Sequence, residues 1–231
     1  MAVNAPAVGP RVPGVVIMAK APRAGDVKTR LCPPLSPGAA AALYRCFLLD
    51  KIEQVRALKD ARPFVAYTPD EARAEFEALA PGFALVRQQG ADLGARLLGT
   101  LGALLGDGHP GAIAIDSDTP TLPTAFLQEA VDRIADPAVD VVLGPTDDGG
   151  YYLIGMRSPR AELFEAMEWS TPRVLAETLR RAAAAGLKLV CLPPWFDVDT
   201  PDDLTRLRDA VVRQRGPAPP HTAAFLKEHE R

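Results

Sequence analysis

The sequence predicts a single α/β domain built on a mostly parallel, mixed sheet. Short apolar runs bounded by Pro or Gly alternate with longer stretches whose apolar residues recur at helical spacing. That alternation is the pattern of βαβ crossovers. The runs are almost continuously apolar, as strands covered on both faces must be. Several of them end in acidic, basic or Gly-Gly loops, and in open α/β sheets ligands gather beyond the carboxyl ends of the strands.

Val15–Ala19 reads as the first strand. Ser36 then caps a helix, with Pro37 at its first position, and the helix runs through Leu43, Tyr44 and Phe47 to about Leu58. Tyr44, Cys46 and Phe47 read as core. Pro63–Tyr67 is the second strand, Glu71–Leu79 a short helix and Phe83–Val86 the third strand. Asp92 occupies an N-cap position, and Leu93, Leu97, Leu101 and Leu104 give the helix after it an apolar stripe. Ala112–Ile115 forms a buried strand that leads into Asp116 and Asp118, followed by a helix over Pro123–Ile134. Asp140–Pro145 is a further strand, and the Gly149-Gly150 turn feeds Tyr151–Met156, an antiparallel strand that makes the sheet mixed. Thr171 and Pro172 read as N-cap and N1 of a helix ending at Gly186. Leu187–Leu192 is the last strand, and Thr200, Pro201 and Asp203 open the final helix with a capping box.

At 231 residues the chain is one domain by default, and it shows no internal repeat and no linker long enough to divide it. Residues 1–13 read as a loose leader, 14–213 as the domain and 214–231 as a fraying tail. The leader lacks the basic and apolar regions of a secretion signal. No apolar run approaches the roughly 18–20 residues of a membrane span. A net charge of −3 gives no global field for nucleic acid. Three scattered cysteines without a CxxC suit reduced thiols in the cytoplasm, not a disulfide framework or zinc site.

Four strand ends carry candidate chemistry. After the first strand, Lys20, Arg23, Lys28 and Arg30 surround Pro22 and Gly25, enough cations for a diphosphate or triphosphate, though a solvated basic turn would read the same. The GxxxxGK[ST] spacing of a Walker A loop is absent. After the third strand, Gln89, Gly90, Asp92, Gly94 and Arg96 form a second nucleotide-facing edge. Gly94 lies in a helical first turn, where it implies close approach by a ligand or a neighbouring element. If the chain stays extended past Ile115, Asp116 and Asp118 point the same way, and Asp197 and Asp199 repeat that spacing later. Asp148, Gly149 and Gly150 form a turn able to lie against a sugar, with Asp148 accepting from hydroxyls. Two acidic pairs and a basic loop on one sheet edge fit a hard divalent cation shared with substrate phosphates. No general base is evident, since His109, His221 and His229 fall in loops or the tail.

Four segments also carry a family resemblance. They are Lys20-x-Pro22-x-x-Gly25-x-Val27-Lys28-Thr29-Arg30-Leu31, Ser117-Asp118-Thr119-Pro120-Thr121-Leu122, Asp148-Gly149-Gly150-Tyr151-Tyr152-Leu153-Ile154-Gly155 and Asp197-Val198-Asp199-Thr200-Pro201-Asp202-Asp203-Leu204. In this order, over about residues 14–212, they resemble a bacterial GT-A-fold transferase family associated with radical-SAM proteins, the arsenosugar-biosynthesis-type glycosyltransferases. The basic loop and the closing Asp-Val-Asp-Thr-Pro are also similar to 2-phospho-L-lactate guanylyltransferase. Both resemblances imply a nucleotide-diphosphosugar-transferase fold, a three-layer sandwich, with a divalent metal, Mg²⁺ or Mn²⁺, and the guanylyltransferase resemblance implies that Asp118, Asp197 and Asp199 hold it. Asp116 stands where the first family more often has Gly, and Thr119 where it often has Cys.

The implied reaction is glycosyl transfer from a nucleotide sugar to a small-molecule acceptor, with Lys28, Asp118 and Asp148 as catalytic residues. The alternative is nucleotidyl transfer from an NTP with loss of pyrophosphate. The Asp-Gly-Gly-Tyr-Tyr segment favours the first, and four cations on one loop favour the second. A nucleotide-binding module without activity is the non-enzymatic reading.

Overall fold

A computed structural model describes residues 12–213 and 219–229. Seven strands form one sheet: β1 (Gly14–Lys20), β2 (Arg62–Thr68), β3 (Ala84–Arg87), β4 (Ala112–Ile115), β5 (Val141–Pro145), β6 (Tyr151–Met156) and β7 (Leu189–Cys191). Their order across the sheet is β3-β2-β1-β4-β6-β5-β7. β6 runs antiparallel to β4 and β5, and every other neighbouring pair is parallel. The helices are α1 (Pro37–Arg56), α2 (Arg73–Leu79), α3 (Leu93–Gly106), α4 (Thr124–Ala135), α5 (Val174–Ala184), α6 (Pro201–Arg213) and α7 (Pro220–Glu228).

Alternation along the buried strands creates two cores. Val15 and Ile17 of β1 and Ile113 of β4 pack with Phe47, Leu127, Leu207 and Phe225 of α1, α4, α6 and α7 on one face. Val16, Ala112 and Ala114 pack with Leu101, Leu104 and Ala182 of α3 and α5 on the other. The result is the expected three-layer α/β sandwich. Among the described residues no helix is long and apolar enough to cross a membrane.

Local chemistry explains most helix starts. Ser36 accepts from Ala39 N at 3.1 Å and Asp92 from Ala95 N at 2.8 Å, as N-caps do. The Thr200–Asp203 box closes reciprocally: Thr200 N donates to Asp203 Oδ2 at 2.7 Å, and Asp203 N donates to Thr200 Oγ1 at 3.3 Å.

Three expectations need correction. β4 stops at Ile115, so Asp116 and Asp118 do not share one side of an extended strand. Each instead takes its own partners in the turn that follows. α5 begins at Val174, and Thr171 does not cap it, because the Thr171 hydroxyl is spent on Glu168 O at 2.8 Å. The tail does not fray throughout: α7 docks on α1 with Phe225 and Leu226 buried. Asp50 of α1 supplies the cap that α7 lacks in its own sequence, accepting from His221 N and Thr222 N at 2.9 Å each. The leader lies outside the described residues, except Val12 and Pro13.

Candidate active site

β1 and β4 are parallel neighbours, so their carboxyl ends place the basic loop beside the acidic turn. The chain after β7 joins them from the far side of the sheet. Thr146 pairs with Trp195, and Val198 N donates to Asp118 O at 3.1 Å, which lays residues 197–199 against the 116–118 turn. An open cleft of about 360 Å³ results, lined by Lys20, Lys28, Arg30, Gln88, Arg96, Asp118 and Asp199 among others.

Lys28 is the lining residue that both acidic segments reach. Its Nζ lies 2.9 Å from Asp118 Oδ2 and 2.7 Å from Asp199 Oδ1, and its side chain is only 5% exposed. Burial by itself would lower this ammonium's pKa. Asp118 and Asp199 more than offset that and hold it above the ordinary lysine range. Arg30 approaches Asp199 Oδ2 at 3.4 Å from a mostly exposed position. Gly25 turns the loop at φ +84° with no neighbour near its missing side chain, so it serves the backbone conformation. Lys20 Nζ closes the loop by donating to Asp26 O at 2.8 Å. Arg23 does not join the cluster; it faces α2 and pairs with Glu71 at 3.2 Å and Glu75 at 3.7 Å.

Asp118 is held by a relay. Lys20 N donates to Tyr44 Oη at 3.1 Å, Tyr44 Oη and Ser117 Oγ are 2.9 Å apart, and Ser117 Oγ donates to Asp118 Oδ1 at 3.2 Å. Burial, and then the nearby Asp118 carboxylate, push the Tyr44 phenol up to about 12, so it stays neutral and able to donate. Tyr44 thus does more than fill the core.

Asp116 belongs to a second, deeper set. Thr119 Oγ1 donates to Asp116 Oδ1 at 2.7 Å, while Lys51 Nζ donates to Thr119 Oγ1 at 2.8 Å and to Thr119 O at 3.0 Å. Lys51 Nζ lies 3.9 Å from Asp116 Oδ1 and its side chain is wholly buried. Burial lowers the Lys51 pKa and raises that of Asp116, although each charge favours the other. Sequence reasoning missed Lys51. The signal was present, since Lys51 stands four residues after Phe47 and eight after Leu43, on the apolar stripe of α1.

Asp197 lies within the field of Asp148, Asp199 and Asp118, and burial followed by those three charges raises it to about 6. Asp148, an exposed residue, accepts at Oδ1 from Thr146 Oγ1 at 2.6 Å and from Gly150 N at 2.9 Å. Gly149 adopts φ +89°, and a Cβ there would sit 2.2 Å from Pro172 O, so the turn admits only glycine.

The second edge is only partly assembled. Arg96 lines the cleft, with its Nε donating to Gly90 O at 3.2 Å. Gln89 is exposed, and it is Gln88 that faces the cleft, its amide donating to Ala66 O at 2.8 Å and Ala19 O at 3.0 Å. Asp92 is used as a cap. Gly94 packs: a Cβ would meet Trp169 Nε1 at 2.7 Å and Phe164 O at 2.8 Å.

The carboxylates of Asp118 and Asp199 already converge on one cation, an ammonium, so their donor chemistry fits a hard divalent ion as well. Among the described residues, the trio whose donor atoms all lie within 4.8 Å of one another is elsewhere: Asp50, Glu53 and His221. Asp50 is committed there to capping α7, which accounts for that trio without a metal.

The architecture is that of the nucleotide-diphospho-sugar transferase fold. The chain belongs to the family described as "Uncharacterized protein conserved in bacteria (DUF2064)", whose pattern matches residues 51–171. A candidate nucleotide-diphospho-sugar transferase from Desulfovibrio desulfuricans G20 is 32% identical, with a TM-score of 0.85 over 94% of this chain and 95% of that one. CMP:2-keto-3-deoxy-manno-octonic acid synthetase complexed with CTP superposes with a TM-score of 0.56 at 15% identity, covering 87% of this chain and 99% of that one. A Mycobacterium tuberculosis protein in complex with manganese gives 0.51 at 15% identity, covering 87% and 100%. The last two share the fold. No curated protein matches the chain.

Proposed function

We propose that this protein is a metal-dependent transferase acting on a nucleotide-diphosphosugar, and that it passes the sugar to a small-molecule acceptor. One observation carries the proposal: Asp118, after β4, and Asp199, after β7, converge on a single cation position inside a cleft lined by Lys20, Lys28, Arg30 and Arg96. The likeness to the Desulfovibrio protein supports the same reading. A divalent ion, Mg²⁺ or Mn²⁺, bound there with Asp197 nearby would supply neutralisation of charge on the leaving phosphate oxygens.

The chain's own residues do the rest. Lys20, Lys28, Arg30 and Arg96 bind phosphate oxygens through charge-assisted hydrogen bonds. The Tyr44–Ser117 relay fixes the orientation of Asp118. Asp148 Oδ2, on the Gly149-Gly150 turn, accepts a hydroxyl hydrogen bond from sugar or acceptor. Resemblance to the arsenosugar-type, radical-SAM-associated glycosyltransferases supports a small cytoplasmic metabolite as acceptor.

Nucleotidyl transfer remains the second reading. The loss of Arg23 to Glu71 and Glu75 removes one of the four loop cations that favoured it, but Arg96 restores the number from another element. Incubation with Mg²⁺ and either nucleotide sugars or NTPs, in the presence of metabolite acceptors, separates the two. Release of a nucleoside diphosphate identifies the first and release of pyrophosphate the second; release of neither from any member of the panel rejects both.

A further inference from the structure

The site's cation position is filled by the protein itself. Lys28 Nζ lies within 3 Å of oxygens from both Asp118 and Asp199, on a side chain with 5% exposure. The backbone holds it there, because Lys28 adopts the left-handed conformation, φ 49° and ψ 35°, which is costly for a residue with a Cβ. Val27 and Leu31, both buried, pin the loop on either side. A small hard ion bonds carboxylate oxygen at about 2.0–2.1 Å, so it would need the space between these two carboxylates that the ammonium occupies. An ammonium and a divalent ion drawn to the same two carboxylate oxygens compete for them and repel one another.

We infer that Lys28 and the divalent ion exclude one another at the Asp118–Asp199 pair, and that a nucleotide's phosphates admit the metal by taking the Lys28 ammonium away. This rests on the function proposed above and adds an order to it. Without nucleotide, Lys28 is the counter-ion of the acidic pair and the metal binds weakly. With nucleotide, phosphate oxygens offer Lys28 an anionic partner in the same cleft, the carboxylates are released, and metal and nucleotide bind as one unit. Lys28 is therefore the residue that makes the site selective for a metal–nucleotide complex over either component alone.

Mn²⁺ binding followed by electron paramagnetic resonance tests this without turnover. The proteins are wild type, Lys28→Met and Asp199→Asn, each with and without UDP, GDP or CDP, and the Asp199→Asn signal is subtracted as binding elsewhere. Wild type is expected to bind Mn²⁺ at least tenfold more tightly when its preferred diphosphate is present. Lys28→Met is expected to bind Mn²⁺ alone at least tenfold more tightly than wild type and to lose the nucleotide enhancement. Lys28→Gln, which removes the charge but keeps a polar side chain, repeats the comparison should Lys28→Met not fold. Equal Mn²⁺ affinity in wild type and Lys28→Met, with the metal–nucleotide complex still bound, overturns the exclusion and leaves the proposed function standing. Absence of metal–nucleotide binding in every protein overturns the function, and this inference with it.

Discussion

Lys28 and Asp199 stand 171 residues apart in sequence and meet at 2.7 Å. That contact joins the loop after the first strand to the segment after the last, so one ion pair reports whether the site is assembled. Asp118→Asn and Asp199→Asn are each expected to weaken binding of an Mn²⁺–nucleotide complex at least tenfold, equivalent to about 1.4 kcal/mol. Calorimetric titration measures this, and wild-type affinity in either variant would remove these two residues from the metal site.

Lys51 is expected to matter for folding more than for binding. Lys51→Met strips the Thr119 carbonyl of a buried donor and leaves Asp116 without its nearest cation. The loss should be about 1–3 kcal/mol in urea unfolding. Lys51→Met combined with Asp116→Asn should lose less than the sum of the single variants, because the second change removes the charge that the first exposes. Strict additivity would show that the two side chains are not coupled.

The acidic cluster predicts a pH dependence in metal-free protein. Asp197 has its pKa raised from an ordinary 3.8 to about 6, so between those values the folded state keeps a proton that the unfolded state has lost. Stability is then highest at the acid end of that window and falls as pH rises through it. Asp116 is shifted in the same direction. In EDTA, unfolding free energy measured from pH 4 to 6.5 should decline more steeply for wild type than for Asp197→Asn. Parallel profiles would mean that Asp197 titrates normally.

Gly94 separates packing from ligand contact. Gly94→Ala drives a methyl group into Trp169 and Phe164 O, which should cost about 1–3 kcal/mol of stability. Nucleotide affinity is expected to stay within about twofold of wild type. A stable variant with poor nucleotide binding would reverse the assignment.

Asp50 anchors α7 by accepting from His221 N, Thr222 N and Thr222 Oγ1. Asp50→Ala should cost about 0.5–2 kcal/mol, as the loss of an N-cap does. Amide exchange should speed up in 220–228 and leave the sheet unchanged. EDTA should have no effect on that exchange in wild type, since the Asp50–Glu53–His221 group has a structural explanation.

Much of this was legible in the sequence because it is locally encoded. Ser36, Asp92 and the Thr200–Asp203 box each write a helix start within four residues, and the apolar runs through Ile17 and Ile113 can hardly be anything but buried strands. What escaped depended on distant partners. Thr171 looks like a cap until its hydroxyl finds Glu168 O, and α7 has no cap until Asp50 arrives from α1. Arg23 belongs to a basic loop in sequence and to Glu71 and Glu75 in space. Spacing brought Asp116 and Asp118 together as a pair, whereas the turn after Ile115 sends one to Lys51 and the other to Lys28. Lys51 was hidden because a lysine in a helix is usually solvated.

The most direct test of the central claim is thermal denaturation with nucleotide sugars, NTPs and nucleoside diphosphates, each with and without Mn²⁺, for wild type and Asp199→Asn. The account predicts that at least one nucleotide diphosphosugar stabilises wild type only together with Mn²⁺, and that Asp199→Asn loses that stabilisation. Failure of every nucleotide to stabilise wild type, or equal stabilisation of Asp199→Asn, would contradict it.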